Sequence, residues 1–595
     1  MTETKTKEGS RKSVSGSAFD FPILTRIFNF VKPYRKIFII SIFLTVLLAF
    51  LAPSRPLLIQ YTFDNFISIN DSRGLLYMTL ILIGLLILQA VMQYFQTYLT
   101  SFLGQSVVRD LRVKLYRHIL NFRLKYFDKT AIGTPVTRTV SDTETISDMF
   151  SDGIIIIIGD LLQLVVVITV MMWIDVKLTL VSLATIPLLV IATNIFKNKI
   201  KDAFKDVRTQ VARMNVFLQE HITGMNIVQI FNREVVEMER FKEINKAHRD
   251  ANNRSIWYYS IFFPVVEILS AASIGLLVWW GAKEVLADHL TIGVLIAFIL
   301  YINMLFRPIR ELADKFNTLQ MGMVSSERIF HVLDTVEVIS NEGKRDASQI
   351  KGTIKFENVW FAYNDEDWVL KNVSFEAKAG ETIALVGATG AGKSSIINLI
   401  NRFYQIQKGK ILIDGIDIKE YELSSLRSRI AVVLQDVFLF SDTIKNNISL
   451  RNPEITEKEI IEASEKVGAH KFIEQVPGMY EYNVRERGGM LSVGQRQMIS
   501  FIRAYVYKPA ILILDEATSS IDHETEELIQ QATEKLTENR TSIIIAHRLA
   551  TIQTADKIIV LDHGEIKETG THQQLLRLGG MYKHLYEIQF ERLVV

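Results

Sequence analysis

Two patterns of hydrophobic positions divide the chain. Up to about residue 310, apolar runs long enough to cross a bilayer, which takes about 20 helical residues, alternate with long polar segments. Beyond about Arg328 the runs shorten to β-like stretches, turns and helices, the texture of a soluble α/β domain. The long runs are Ile37 to Leu58, Leu75 to Leu99, Ile154 to Ile174, Leu178 to Phe196, Ile261 to Trp280 and Leu290 to Phe306. Spans three and four, and spans five and six, are joined by about ten residues or fewer, whereas the connections on the other side are much longer. Six spans place both ends of the chain on one side of the membrane. Within the long connections Val108, Leu111, Leu115 and Ile119 keep a helical period, which predicts that the spanning helices continue well past the bilayer. Pro53 and Pro56 predict a kink in the first span.

Charge sets the orientation. The long segments Ser101 to Asp152 and Lys197 to Arg254 hold eight and twelve Lys or Arg residues, against only Arg73, Lys177 and Lys283 in the opposite loops. By the positive-inside rule the long segments and both termini belong in the cytoplasm, which predicts a multi-pass protein of the cytoplasmic membrane. The expected organisation is a disordered polar tail over residues 1–20, a six-helix transmembrane domain over 21–335, a linker over 336–350 and a second domain over 351–595. Asp160 and Glu267 stand out because an acid inside a span is costly. They serve either hydrogen bonding within the bundle, the favoured reading, or contact with a cationic substrate. Trp257, Tyr258, Trp279 and Trp280 read as interface anchors.

Composition sharpens this by exclusion. An apolar fraction of 49% beside 22% charged residues fits one membrane and one soluble part. A net charge of +2 gives no reason to expect nucleic acid as a partner, and the absence of cysteine removes disulfides and thiolate chemistry.

The chemistry sits in the second domain. A predicted strand, Ile383 to Val386, feeds Gly387, Ala388, Thr389, Gly390, Ala391, Gly392, Lys393 and Ser394, with Ser395 next, where a helix opens. This is a P-loop in its strand, loop, helix setting. Glycines let backbone N–H groups wrap phosphate, Lys393 reaches the β- and γ-phosphates, and the Ser394 hydroxyl ligates Mg²⁺. A second predicted strand, Ile511 to Leu514, ends in Asp515 and Glu516. There Asp515 supports the metal's water shell and Glu516 polarises an attacking water.

Between these lies Leu491, Ser492, Val493, Gly494, Gln495, followed by a helical pattern. With this run the chain resembles the ATP-binding-cassette (ABC) family, matching its signature at four of five positions, and the spans resemble those of the family's exporters. The fold implied is a membrane all-α six-helix domain fused to an α/β P-loop ATPase, with ATP and Mg²⁺ as cofactors. Position by position, the resemblance makes Tyr363 the aromatic that stacks on adenine and Gln435, after the predicted strand Ile430 to Leu434, the metal-sensing glutamine. It makes Ser519 to Asp522 the loop after the acid pair and His547, after the predicted strand Ser542 to Ile545, the γ-phosphate sensor. Ser492, Gly494 and Gln495 then bind the γ-phosphate of an ATP held by a facing subunit, so a dimer is implied. Asn483 to Gly488 resembles the exporters' loop that touches the cytoplasmic tips of the membrane helices, expected near Gly133 to Arg138 and Asn232 to Phe241.

One position departs from the family. Val493 stands where the signature has glycine, adding bulk and, by expectation, restricting the backbone where phosphate approaches. With Lys393, Glu516 and His547 intact, the combination resembles one half of heterodimeric multidrug exporters. A heterodimer is the favoured expectation and a homodimer the alternative. The expected function is ATP-driven export of a hydrophobic or amphipathic drug or lipid by alternating access. The alternatives are an ATP-gated channel or regulatory subunit that does not pump, and a peptide exporter.

Overall fold

The computed structural model of the protein describes residues 20–337, 339, 341–364, 367–515, 523–546 and 548–590. The polar tail up to residue 19, Glu516, the Ser519 to Asp522 loop and His547 lie outside the described residues. Two compact units emerge: one holds residues up to Leu120 together with Ala131–Val336, the other Asn121–Thr130 together with residues from Glu337 onward.

The first unit is built of helices. The first span is split into α1 (Arg35–Leu51) and α2 (Ser54–Thr62), because Pro53 has no N–H with which to continue the ladder. Tyr301, fully buried, donates its hydroxyl to the Pro53 carbonyl at 2.9 Å. There follow α3 (Ser72–Leu120), then α4 (Leu124–Lys129), which belongs to the other unit, α5 (Ile155–Ile174), α6 (Val176–Leu183) and α7 (Ile186–Thr223). The turn between α5 and α6 is Asp175 alone, whose carboxylate caps α6 by accepting from the Leu178 N–H at 2.6 Å. A short helix, α8 (Met225–Ile230), links α7 to α9 (Glu234–Leu286), and α10 (Ile292–Asp334) follows. Phe196 of α7 stacks on Phe262 of α9 with ring centroids 4.0 Å apart.

Six apolar segments fall where hydropathy placed them, five in long continuous helical stretches and the sixth in Ile292–Pro308. The helices outrun the bilayer. The 53 residues of α9 extend for about 80 Å at 1.5 Å per residue, against a hydrocarbon core of about 30 Å. The periodic residues Val108, Leu111, Leu115 and Ile119 are all buried. Asp160 is ion-paired with Lys315 at 2.6 Å, a partner 155 positions away on α10. That pairing favours the bundle-internal reading of this acid over an open site for a cation.

In the second unit, β1 (Ile354–Ala362), β2 (Trp368–Ala377), β4 (Lys408–Ile413) and β5 (Ile416–Asp417) form an antiparallel sheet in the order β2-β1-β4-β5. A second, mixed sheet has the order β10-β9-β3-β8-β7-β6, with β3 (Thr382–Val386), β6 (Ile430–Val433), β7 (Ile511–Asp515), β8 (Thr541–Ile545), β9 (Lys557–Asp562) and β10 (Glu565–Gly570). Both faces of its central strands are buried. Along β3, Ala384 and Val386 enter one core while Ile383 and Leu385 enter the other, and β7 and β9 alternate in the same way. Period-2 alternation between two apolar layers is what makes these strands read as continuous hydrophobic runs. One core joins this sheet to the antiparallel sheet through Ile354 and Phe356, and the other joins it to helices.

The segment Asn121–Thr130 clusters with this second unit, while Gly133 to Arg138, expected as a cytoplasmic tip of the membrane helices, belongs to the first. Backbone bonds fix the attachment: Arg123 N–H to the Glu337 carbonyl at 2.8 Å and Ile339 N–H to the Asn121 carbonyl at 3.0 Å. The Tyr404 hydroxyl adds a bond to the Asp128 carboxylate.

Candidate functional site

Four of the five parallel strands, β3, β8, β7 and β6, end along one edge, and the predicted site residues follow those ends. Leu385 pairs with Ile545, Ile545 with Asp515, and Val433 with Leu514. The P-loop, Asp515 and Gln435 therefore leave the sheet along this edge, the crevice in which open α/β sheets bind ligands.

The loop after β3 runs into α11 (Lys393–Ile400) through three glycines with left-handed φ or close to it, Gly387 at 155°, Gly390 at 83° and Gly392 at 102°. Two of them are also required by space. A Cβ on Gly387 would stand 2.2 Å from the Leu561 carbonyl oxygen, and one on Gly392 would stand 2.7 Å from Leu370 Cδ2. Ala391, Lys393 and Ser395 are buried, while Ala388, Thr389, Gly390 and Ser394 are exposed at the rim. The Lys393 ammonium donates to the carbonyls of Gly387 at 2.6 Å and Ala388 at 3.0 Å. Burial pulls its pKa below the ordinary lysine range, and the negative charge of Asp515 partly opposes that shift. The P-loop lysine and the carboxylate of β7 therefore share one electrostatic environment.

Tyr363, just past β1, is held beside the same helix. Its hydroxyl is 3.0 Å from Ser395 Oγ and accepts from Asn398 Nδ2 at 3.3 Å, with its ring edge-on to Phe361 and Tyr404. Sequence reading did not pick out Asn398, because an amide in the middle of a helix carries no local signal. Gln435 is exposed, two residues beyond β6.

The signature run opens α12 (Val493–Val506). Ser492 is its N-cap in a reciprocal capping box: the Gln495 N–H donates to Ser492 Oγ at 3.1 Å, and the Ser492 N–H donates to Gln495 Oε1 at 3.0 Å. Gly494 is buried in the first turn. Val493 is the first helical residue, not one of the positive-φ positions, and its side chain is 47% exposed. The backbone restriction expected of valine is therefore absent, because α12 already needs ordinary helical angles there; only its bulk remains. Just before the signature, Arg485 and Arg487 are exposed with φ of 62° and 52°, a conformation rare for non-glycine residues.

Comparison with known proteins agrees with this construction. The ABC transporter transmembrane region model matches residues 38–309, and the ABC transporter model matches 370–519. The uncharacterized ABC transporter ATP-binding protein YknV of Bacillus subtilis is 40% identical over 96% of this chain and 95% of its own length. The putative multidrug export ATP-binding/permease protein YgaD of the same organism is 36% identical, covering 95% and 99%. An ATP-dependent lipid A-core flippase of Syntrophus aciditrophicus is 34% identical, covering 96% and 95%. A helical membrane region, an α/β ATPase with its P-loop on the sheet edge, and relatives matching along nearly their whole length place this chain in the ABC transporter family, as a multi-pass membrane protein with an ATPase that drives transport.

Proposed function

We propose that the chain is a half-transporter that exports a hydrophobic or amphipathic substrate, drug or lipid, by alternating access in a dimer at the cytoplasmic membrane. The observation that carries this reading is the pairing, in one polypeptide, of six apolar segments with one P-loop and one signature helix. Relatives named as a multidrug exporter and a lipid flippase support the substrate class. The Lys and Arg excess of the long connections supports a cytoplasmic position for both termini and the ATPase.

In the proposed cycle Lys393 exchanges its loop carbonyls for the β- and γ-phosphates, and the open N–H groups of the P-loop hold the rest of the phosphate chain. Tyr363 supplies the aromatic face for adenine. The Ser394 hydroxyl, the Gln435 amide oxygen and the Asp515 carboxylate form an all-oxygen donor set suited to Mg²⁺. Bound there, Mg²⁺ would neutralise charge on the β- and γ-phosphates. Glu516 is the proposed base toward water, with His547 toward the γ-phosphate and Asp522 in the loop between them. Ser492 keeps its O–H free to donate even while Oγ accepts from Gln495, since a hydroxyl has one donor and two acceptor positions. It is proposed to meet the γ-phosphate held by the second subunit. The exposed apolar tip formed by Ile222, Ile227, Ile230 and Phe231 around α8 is a second reason to expect a partner chain.

A heterodimer remains the favoured assembly, on the intact Lys393, Glu516 and His547 beside an altered signature, with a homodimer as the alternative. The test is ATP-dependent substrate movement in reconstituted vesicles with the subunit composition determined. Steady ATPase without any substrate movement would instead support a regulatory subunit.

A further inference from the structure

The first unit contains a cavity of about 1380 Å³ between α7 and the cytoplasmic half of α10, with Tyr259 and Ile244 of α9 on its wall. Its surface is divided by chemistry. Phe196, Ile200, Phe204, Val216, Phe217 and Tyr259 supply an apolar wall, and Lys197, Lys201, Lys205 and Arg208 of α7 supply a row of cations. The 4, 4, 3 spacing puts those four on one helix face over about 16 Å. Arg213 and Arg328 extend the positive lining, against the two acids Asp202 and Glu220.

The positive-inside rule explains an excess of cations here but not the alignment of Lys197, Lys201, Lys205 and Arg208 on one face. Of the six Lys and Arg residues in α7, five line the cavity and only Lys199 does not. Like charges at such spacing disfavour a helix. Yet among the described residues Lys197, Lys201 and Lys205 have no acidic partner, whereas Asp206 of the same helix pairs with Arg254 at 3.3 Å. The row begins at the residue after Phe196, where the fourth apolar run ends, at the depth of the cytoplasmic head groups.

On this basis we propose that the cavity admits an amphiphile with an anionic head group from the cytoplasmic leaflet, its head on the lysine and arginine row and its chain on the aromatic wall. The assignment names the substrate class for the export reading and rests on it for its consequence. It is tested without nucleotide, so that it fails or stands apart from ATP-driven transport.

The full-length transporter in phosphatidylcholine nanodiscs is irradiated with lysophosphatidate carrying a photoreactive group in its acyl chain, and the labelled peptides are mapped. Labelling is expected between Phe196 and Phe217, displaced by unlabelled lysophosphatidate at least tenfold more effectively than by lysophosphatidylcholine of the same chain. Three exposed charge pairs together are worth roughly tenfold in affinity, so Lys201→Gln/Lys205→Gln/Arg208→Gln should lower labelling by about that factor. Lys199→Gln, on the same helix but off the cavity, should leave labelling unchanged, and unaltered binding of fluorescent ATP by each variant would show that it is folded. Equal displacement by the zwitterionic lipid, equal displacement by inorganic phosphate, labelling confined to other helices as when a second protomer fills the space, or a triple variant that labels like wild type would each overturn the proposal.

Discussion

Two helix N-termini in the second unit, both proposed to meet phosphate, are finished in opposite ways. At α11 the N-cap is Gly392, left-handed and without a side-chain cap, so the first-turn N–H groups are left for a ligand. At α12 Ser492 and Gln495 close the helix end on itself, leaving the serine O–H as the side-chain donor. In the proposed cycle the P-loop therefore works through backbone that only glycine permits, and the signature through one hydroxyl held in place by its own cap. The first should tolerate almost no change. The second should tolerate variation beside the cap, which is where Val493 stands.

The comparison can be broken most forcefully on the P-loop side. Glu516→Gln is expected to keep ATP binding and to lower steady-state phosphate release by at least about 100-fold, as loss of a general base does. Near-normal turnover would remove Glu516 from that role. Lys393→Ala should weaken ATP binding itself, by roughly 10- to 100-fold in a fluorescent-nucleotide titration, since it deletes a charge-assisted contact worth about 1.5–3 kcal/mol. Unchanged affinity would contradict the assigned phosphate cradle.

On the signature side the effects should be smaller and should fall on the partner's site. Ser492→Ala removes the α12 cap at a cost of about 1 kcal/mol and takes away the donor, so both thermal stability and turnover should fall, with nucleotide affinity of this chain's own P-loop retained. Val493→Gly sharpens the question of assembly. In a heterodimer whose other site is already impaired, total ATPase should change little. In a homodimer both sites gain, and a several-fold rise is expected, since tenfold is only about 1.4 kcal/mol of barrier. Turnover measured together with subunit composition separates the two.

The smallest expected effect lies in the first unit, at the tip of the α7–α9 hairpin. His221 donates its Nε2–H to the Glu237 carboxylate at 2.9 Å and stacks on Phe217. That hydrogen bond to Glu237 raises the His221 pKa above the ordinary histidine value, and the Phe217 carbonyl adds to the shift. A raised folded-state pKa gives stabilisation that is complete below the unfolded histidine value and lost as pH rises through the folded one. Hydrogen exchange at the tip, corrected for its intrinsic pH dependence, should therefore be slower near pH 6 than near pH 8. The difference should vanish in His221→Gln.

What was legible from sequence was local chemistry. Glycine spacing, a following lysine and a strand-end carboxylate identify the P-loop and acid pair because the phosphate-facing groups come from a few consecutive residues. The six spans were legible because bilayer thickness imposes a length on any helix that crosses it. Tyr363 and Gln435 were found only through resemblance, and the structure places the first beside the P-loop helix and the second past β6, the edge strand next to β7. Partners distant in sequence were not legible. Nothing near Asp160 points to Lys315, and nothing in Asn121–Thr130 announces that it joins the second unit rather than the first.

The sequence by itself determined which residues can carry nucleotide chemistry and where the apolar segments of a multi-pass membrane protein lie, since both follow from short-range pattern. The tertiary structure alone decided that Asp160 is paired with Lys315, that Val493 sits in ordinary helical backbone, and that the α7 cations share a cavity with an aromatic wall. Each of these depends on which helix faces meet, and packing between distant segments settles that where residue order cannot.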